Sequence, residues 1–202
     1  MPVFETSILA LGLVAVFAYL LGSIPFGLVT SKLFGLPDPR TIGSKNIGAT
    51  NVLRSGSKGA ALTTVLLDGA KGLVAVVLAR MVFGEDAAQV AALSAFLGHI
   101  YSFFLGFKGG KGVATFLGAL FGLAWPVGVA AGAIWLSTCA ITRYSSLSAL
   151  VAAAATPFVA IALGKSAAFV VLAVMAAILI WKHRENIARL RAGTESKVGA
   201  KA

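Results

Sequence analysis

Seven apolar runs separated by short polar stretches set the order of this chain, at 8–29, 60–83, 87–106, 113–124, 127–141, 146–163 and 166–181. An α-helix rises about 1.5 Å per residue, so a run of roughly 20 residues matches the ~30 Å of a bilayer's hydrocarbon. The fourth and fifth runs are shorter and meet at Trp125-Pro126, which reads as a tight turn. That pair is read either as two crossings or as a re-entrant hairpin that does not fully cross, giving seven transmembrane helices or five. Both counts are odd, which puts the termini on opposite sides. The pattern predicts an all-α integral membrane protein with one transmembrane domain over 1–193. A cytoplasmic tail at 194–202 is expected to fray beyond Gly193.

Composition agrees and narrows the class. Hydrophobic residues make up 58% and charged residues 12%, against about 25% charged in soluble domains, which excludes an ordinary soluble fold. The first run is too long for a signal-peptide core and has no basic segment before it. The net charge of +10 does not indicate nucleic acid, because Lys and Arg gather at the ends of apolar runs and form no soluble basic face. Lys32, Arg40, Lys45, Arg54, Lys58, Lys108, Lys111, Arg143, Lys182, Arg184, Arg189, Arg191, Lys197 and Lys201 fall on one side of the predicted membrane. Arg80 and Lys165 fall on the other, beside Glu5, Glu85 and Asp86. Basic loops stay cytoplasmic, so the N-terminus is expected outside and the C-terminus inside. The one cysteine, Cys139, lies in an apolar run and reads as a buried structural thiol. No Cys/His/carboxylate cluster has metal-ligand spacing, and no metal or cofactor is expected.

Four polar clusters then stand out, all on the basic side. The segment 43–54 carries Ser44, Asn46, Thr50 and Asn51 as donors, Lys45 and Arg54 as cations, and Gly43 and Gly48 where backbone can approach a ligand. Arg presents a planar fork suited to phosphate oxygens. A second segment, Lys108-Gly109-Gly110-Lys111-Gly112, runs into the fourth apolar run. It is not a nucleotide-binding P-loop, because the spacing is wrong and Gly112 stands where Ser or Thr is needed. Free N–H groups at a helix start still attract anions, and short membrane helices use the same device. Gly98-His99 precedes this loop, and His183-Arg184-Glu185-Asn186 closes the last run, with His183 and Asn186 on one helical face. His183 is a residue type able to exchange a proton near neutrality.

Asp68 and Lys71 sit inside the second run at i, i+3, where each neutralises the other or serves a site. Gly118, Gly122, Gly128 and Gly132 recur at four-residue spacing, and close helix packing explains them better than a ligand does. Standard acyl-transfer signatures are missing. Phe104 and Ala188 stand five residues after the two histidines, where a His-x4-Asp motif needs Asp, and no Gly-x-Ser-x-Gly elbow occurs.

Taken in order, these features resemble one family, the bacterial acyl-phosphate:glycerol-3-phosphate acyltransferases. The resemblance begins at Leu20-Leu21-Gly22-Ser23-Ile24-Pro25, continues through segment 43–54, Asp68 to Gly72 and Gly98-His99 to Thr115, and ends at His183 to Asn186. Lys45 departs from it, because many relatives carry Gly there. The resemblance implies seven helices in the bacterial inner membrane with the site at the cytoplasmic face. It implies transfer of a fatty acyl group from acyl-phosphate to the 1-hydroxyl of glycerol 3-phosphate, the first step of phospholipid synthesis. On that reading Ser44, Asn46, Thr50, Asn51 and Arg54 cradle the phosphate of glycerol 3-phosphate. Lys108, Lys111 and the backbone of Gly109, Gly110, Lys111 and Gly112 hold the acyl-phosphate head and stabilise its oxyanion. His99 is among the substrate-binding residues, His183 and Asn186 orient the attacking glycerol, and Ser44, Lys111, His183 and Asn186 make up the catalytic set. Either His183 or a substrate phosphate takes the proton. Partners are the two substrates and membrane lipids, and a monomer is expected. The competing class is a small phosphate or organophosphate transporter, which also needs anion sites at broken helices.

Overall fold

Pro25 lacks a backbone N–H and disfavours helix at the residue before it, and there the first predicted span breaks. The computed structural model describes residues 5–199, and among them all regular structure is helical. Helix α1 (Ile8–Ser23) gives way at the extended Ile24, and α2 (Phe26–Leu33) continues beyond Pro25. A six-residue α3 (Ala49–Arg54) follows, then α4 (Lys58–Phe83), α5 (Glu85–Ile100), α6 (Val113–Leu123), α7 (Trp125–Thr142), α8 (Ser145–Ala162), α9 (Phe169–Lys182) and α10 (Arg184–Arg191).

Five helical segments are long and apolar enough to cross a membrane: Ile8–Leu33, Lys58–Phe83, Glu85–Leu105, Trp125–Thr142 and Ser145–Ala162. The segment Ser166–Lys182 is continued by α10 after a 57° bend. The fifth apolar run forms an 18-residue helix, α7, long and apolar enough to cross by itself. Its Pro126 occupies the first turn, where a missing N–H costs nothing. Helix α6 has only 11 residues, about 16 Å of rise. Its carboxyl end nevertheless lies beside the end of α4, where Arg80 donates to the carbonyls of Gly122 and Leu123 and pairs with Glu85 at 2.8 Å. Asp86 accepts the N–H groups of Glu5 and Thr6 at the same end, and Gln89 donates to Ala167. The connections after α2, α5, α7 and α9 gather at the opposite end.

Small residues let the backbones meet without an aqueous driving force. A methyl built on Gly22 would lie 2.1 Å from the Ala95 carbonyl oxygen, and one on Gly98 2.2 Å from that of Tyr19, so α1 and α5 touch main chain to main chain. Helices α4 and α6 do the same through Gly118, whose added methyl would sit 1.9 Å from the Gly69 oxygen. Gly122 packs on Val76 and Gly128 on Phe121, while Gly132 faces open space. Three of the four spaced glycines thus serve packing. Phe96, Ile100, Phe116, Leu120, Leu172, Met175 and Leu179 fill the interior between these seams.

Gly118→Val should therefore force α6 off α4 and destabilise the protein by about 1–3 kcal/mol or more, the range for an overfilled contact. Gly132→Ala should leave stability unchanged or raise it by up to about 1 kcal/mol, the helix-propensity gain. Thermal melting of the two variants in one detergent checks this, and equal melting temperatures would refute the seam.

Candidate active site

Asn51 organises the first polar segment. Its buried side chain donates to the carbonyls of Pro39 at 2.6 Å and Asn46 at 2.9 Å, and its Oδ1 accepts the Ser44 N–H at 3.0 Å. Asn46 Oδ1 accepts the Gly48 N–H at 2.8 Å. These two amides, expected as ligands, spend their hydrogen bonds shaping the loop. Gly43 has φ +49, and a side chain there would strike Asn51 and Arg54. Lys45 has φ +55, a left-handed backbone that favours glycine, so a glycine at this position would fit the loop without strain. The segment leaves the Ser44 side chain exposed, sets the Thr50 hydroxyl 3.1 Å from Ser145 Oγ, and turns the Arg54 guanidinium towards Asn51 Oδ1 and Ser196 Oγ.

The second segment rests on a buried polar knot. Lys71 Nζ lies 2.8 Å from Asp68 Oδ1 and 2.9 Å from the Ile24 carbonyl, which the break before Pro25 has freed from its helix. His99 Nδ1 stands 3.5 Å from the same Asp68 oxygen. A methyl on Gly110 would lie 2.2 Å from His99 Nε2, so the glycine loop lies directly on the imidazole. Gly109 and Gly110 donate their N–H groups to Ile100 and His99 at 3.0 Å each. Those two amides therefore face the fold, not a ligand, and His99 is a buried support beneath the loop. Gly112 opens α6 with φ +85 against the Phe96 ring. Lys108 is exposed and, among the described residues, its ammonium meets no hydrogen-bond or ion-pair partner.

Lys111 points the other way, to the first segment and the chain's last turns. Its Nζ donates to Asn186 Oδ1, and Asn186 Nδ2 donates to Glu195 Oε1 at 2.6 Å. Glu195 also accepts from Ser146 Oγ at 2.7 Å and from Arg189 Nε at 2.7 Å. The tail expected to fray is thus folded back over the site through its described residues: Ser196 meets Arg54, and Val198 N–H donates to Arg143 at 2.7 Å. The residues at 200–202 lie outside the described chain. Serines 145 and 146, Arg189 and Glu195 did not stand out in the sequence. One signal was available: Glu195 is a lone carboxylate among Arg189, Arg191 and Lys197.

Electrostatics follow from this crowding. Burial pulls the Lys111 ammonium down to about 8, with Arg189 and Arg54 acting the same way against Glu195 and Glu185. His183 lies just past α9, and burial pushes its imidazole down to about 4, so it is neutral at physiological pH. Its Nδ1 is 2.8 Å from the Leu179 carbonyl and therefore carries the proton, which leaves the Nε2 lone pair as an acceptor. Burial raises Glu195, but hydrogen bonds from Ser146, Asn186 and Arg189 outweigh it and hold the carboxyl ionised. Arg54, Lys111, Asn186 and His183 thus lie at one end of the bundle, two cations with a neutral hydrogen-bond acceptor, an arrangement chemically suited to an anion.

Because Lys111 loses its proton near pH 8, anion affinity should be constant below that pH and fall above it. Sulfate keeps one charge across this range, so calorimetric titration from pH 6 to 10 reads the lysine alone. A decline of up to about tenfold per pH unit is expected above pH 8, and Lys111→Arg should remove it. A flat profile in the wild type would detach Lys111 from the site.

Comparison with known proteins gives a consistent picture. Residues 12–193 match the family model for glycerol-3-phosphate acyltransferase. The glycerol-3-phosphate acyltransferases of Ruegeria pomeroyi and Jannaschia sp. are 59% and 58% identical, covering 100% and 98% of this chain and 100% and 98% of their own. Among solved structures, PlsY (YgiH), an integral membrane glycerol 3-phosphate acyltransferase, superposes in its glycerol 3-phosphate form with a TM-score of 0.88. That chain is 39% identical, over 94% of this one and 96% of its own. The lysophosphatidic acid form gives a TM-score of 0.86 at 38% identity, over 93% and 94%. The relatives carry acyltransferase names, which leaves the transporter reading without support. Along nearly its whole length, this chain belongs to the glycerol-3-phosphate acyltransferase family.

Proposed function

We propose that this protein transfers a fatty acyl group from an acyl-phosphate to the 1-hydroxyl of glycerol 3-phosphate, at the cytoplasmic face of a bacterial inner membrane. The observation that carries the reading is the junction of Lys111, Asn186 and Glu195 beside Arg54 and His183. Family membership supports the substrate, as does the likeness to an acyltransferase solved in its glycerol 3-phosphate form. Seven crossings are proposed, with α6 short because the glycine loop before it enters the bundle. That places the N-terminus outside and the four site-bearing connections inside, where basic residues concentrate. A monomer presents the whole site.

Arg54, with Ser44 and Thr50 beside it, binds the glycerol 3-phosphate phosphate, while Asn51 and Asn46 hold their loop in shape. Lys111 and the free N–H groups at the start of α6 face the acyl-phosphate head and its developing oxyanion. Lys108, exposed at the waterline, adds charge for the same head. Asn186 aims Lys111, and His183 Nε2 accepts the hydrogen bond of the attacking 1-hydroxyl. A histidine held near 4 is a weak base at pH 7, so its part is orientation. The ester C–O bond forms, the acyl–phosphate C–O bond breaks, and the hydroxyl proton leaves on the departing phosphate. Products are lysophosphatidate and inorganic phosphate. The donor is already activated, so positioning and charge stabilisation suffice.

Purified protein in detergent should acylate labelled glycerol 3-phosphate from palmitoyl-phosphate. Transfer from palmitoyl-CoA with none from palmitoyl-phosphate would reverse the donor assignment. Arg54→Ala should raise KM for glycerol 3-phosphate by ten- to a hundredfold, roughly the 1.5–3 kcal/mol of a charged hydrogen bond. Unaltered kinetics would remove Arg54 from the site.

Glu195→Ala should lower kcat by about a hundredfold, the scale of a ~1 Å misplacement, because Asn186 and Arg189 lose their common anchor. Glu195→Gln should lose less. Initial rates alongside a thermal melt separate this effect from unfolding, and a stable Glu195→Ala variant at full rate would contradict it.

A further inference from the structure

Beside Arg54 a hollow of about 260 Å³ opens between α3, the start of α4 and the folded-back tail. Thr50, Leu53, Arg54, Lys58, Lys197 and Val198 form its wall together with two glycines. Three cations share this space, and among the described residues no carboxylate lines it. Arg40, Arg80 and Arg189 each hold an acidic partner within 4.0 Å, whereas Arg54, Lys58 and Lys197 form no ion pair with any described residue. Like charges gathered around one concavity raise the local concentration of anions. The positive end of α4, with Lys58 as its first residue, adds to the same field. Arg54 belongs to both spaces: its Nη1 donates to Asn51 Oδ1 at 3.3 Å, and the residue also lines the hollow. The tail supplies the outer wall, held by Val198 on Arg143 and by the Lys197 ammonium 5.7 Å from the Tyr144 ring centroid.

Resting on the acyltransferase reading, we infer that this hollow is a second phosphomonoester site, an anteroom formed by Arg54, Lys58 and Lys197 through which a phosphate-bearing molecule reaches or leaves the reacting centre. Glycerol 3-phosphate on its way in and the headgroup of lysophosphatidate on its way out share the chemistry it recognises. Neither Lys58 nor Lys197 touches the reacting atoms. Both act on capture, and both belong to KM or product inhibition rather than to kcat.

The test compares wild type with the double variant Lys58→Gln/Lys197→Gln, both purified in a zwitterionic detergent. KM for glycerol 3-phosphate, its dependence on sodium chloride and the inhibition constant of added lysophosphatidate are measured together. A rise in KM of roughly three- to tenfold at low salt, the size of two exposed charge contacts, with a flatter salt dependence and kcat within twofold, assigns the site to the incoming substrate. Weaker inhibition by lysophosphatidate with KM unmoved assigns it to the product headgroup. Lys58→Arg/Lys197→Arg should restore wild-type values in either case. If neither constant moves while both proteins turn over normally, the anteroom does not exist. Failure of the wild type itself to acylate glycerol 3-phosphate would instead overturn the parent reading.

Discussion

The ammonium of Lys71, held between the Asp68 carboxylate and the Ile24 carbonyl, is the contact on which the rest of this molecule depends. Breaking such a pair by removing one partner costs about 3–5 kcal/mol, far more than the net worth of making it. Once both charges are inside the bundle, each therefore enforces the other's position. The consequence reaches three elements at once. Lys71 stabilises the break in the first span by donating to the Ile24 carbonyl, which otherwise accepts only the Phe26 N–H of the turn at 3.1 Å. Asp68 faces His99 at the end of α5. The main chain of Asp68 receives the Thr115 hydroxyl of α6 at 2.9 Å. The glycine loop that presents Lys111 sits on this knot, with Gly110 against the imidazole, so its height within the bundle is fixed from below.

A second constraint acts from the end of the bundle that carries Lys111 and the tail. Arg54, Lys111 and Arg189 are close enough to affect one another, and their mutual repulsion has to be offset. Glu195 supplies one permanent negative charge, shared among Arg189, Asn186 and Ser146. That charge neutralises only part of the cluster. Glu185, near the start of α10, acts on Lys111 in the same sense. The depressed Lys111 and the neutral His183 are two products of the same burial. One leaves an ammonium that loses its proton near pH 8, and the other a neutral imidazole with a free Nε2 lone pair.

Much of this was legible in one sequence because membrane burial leaves strong marks. Apolar runs give helices, and polar clusters interrupting grease mark the residues that gather at one end of the bundle. Ser44, Arg54, Lys111, His183 and Asn186 were all singled out, and they assemble at one end of the bundle. Reading roles from residue type was less secure. Asn51 and Asn46 look like ligands by chemistry, yet their hydrogen bonds close on their own loop. Gly109 and Gly110 suggest free amides, yet those amides pair with Ile100 and His99.

What the sequence by itself determined is the membrane class, the helical runs, the family and most of the polar residues that meet, since each follows from local composition and spacing. Only the tertiary structure decided that α7 is a full-length helix while α6 is short, that His99 is a support beneath the glycine loop, and that the tail at Glu195 is part of the site. The physical reason is that these depend on contacts between stretches far apart in the chain. Arg80 reaching Gly122 spans 42 residues and Lys111 reaching Asn186 spans 75, and no local pattern records a hydrogen bond whose partner lies on another helix.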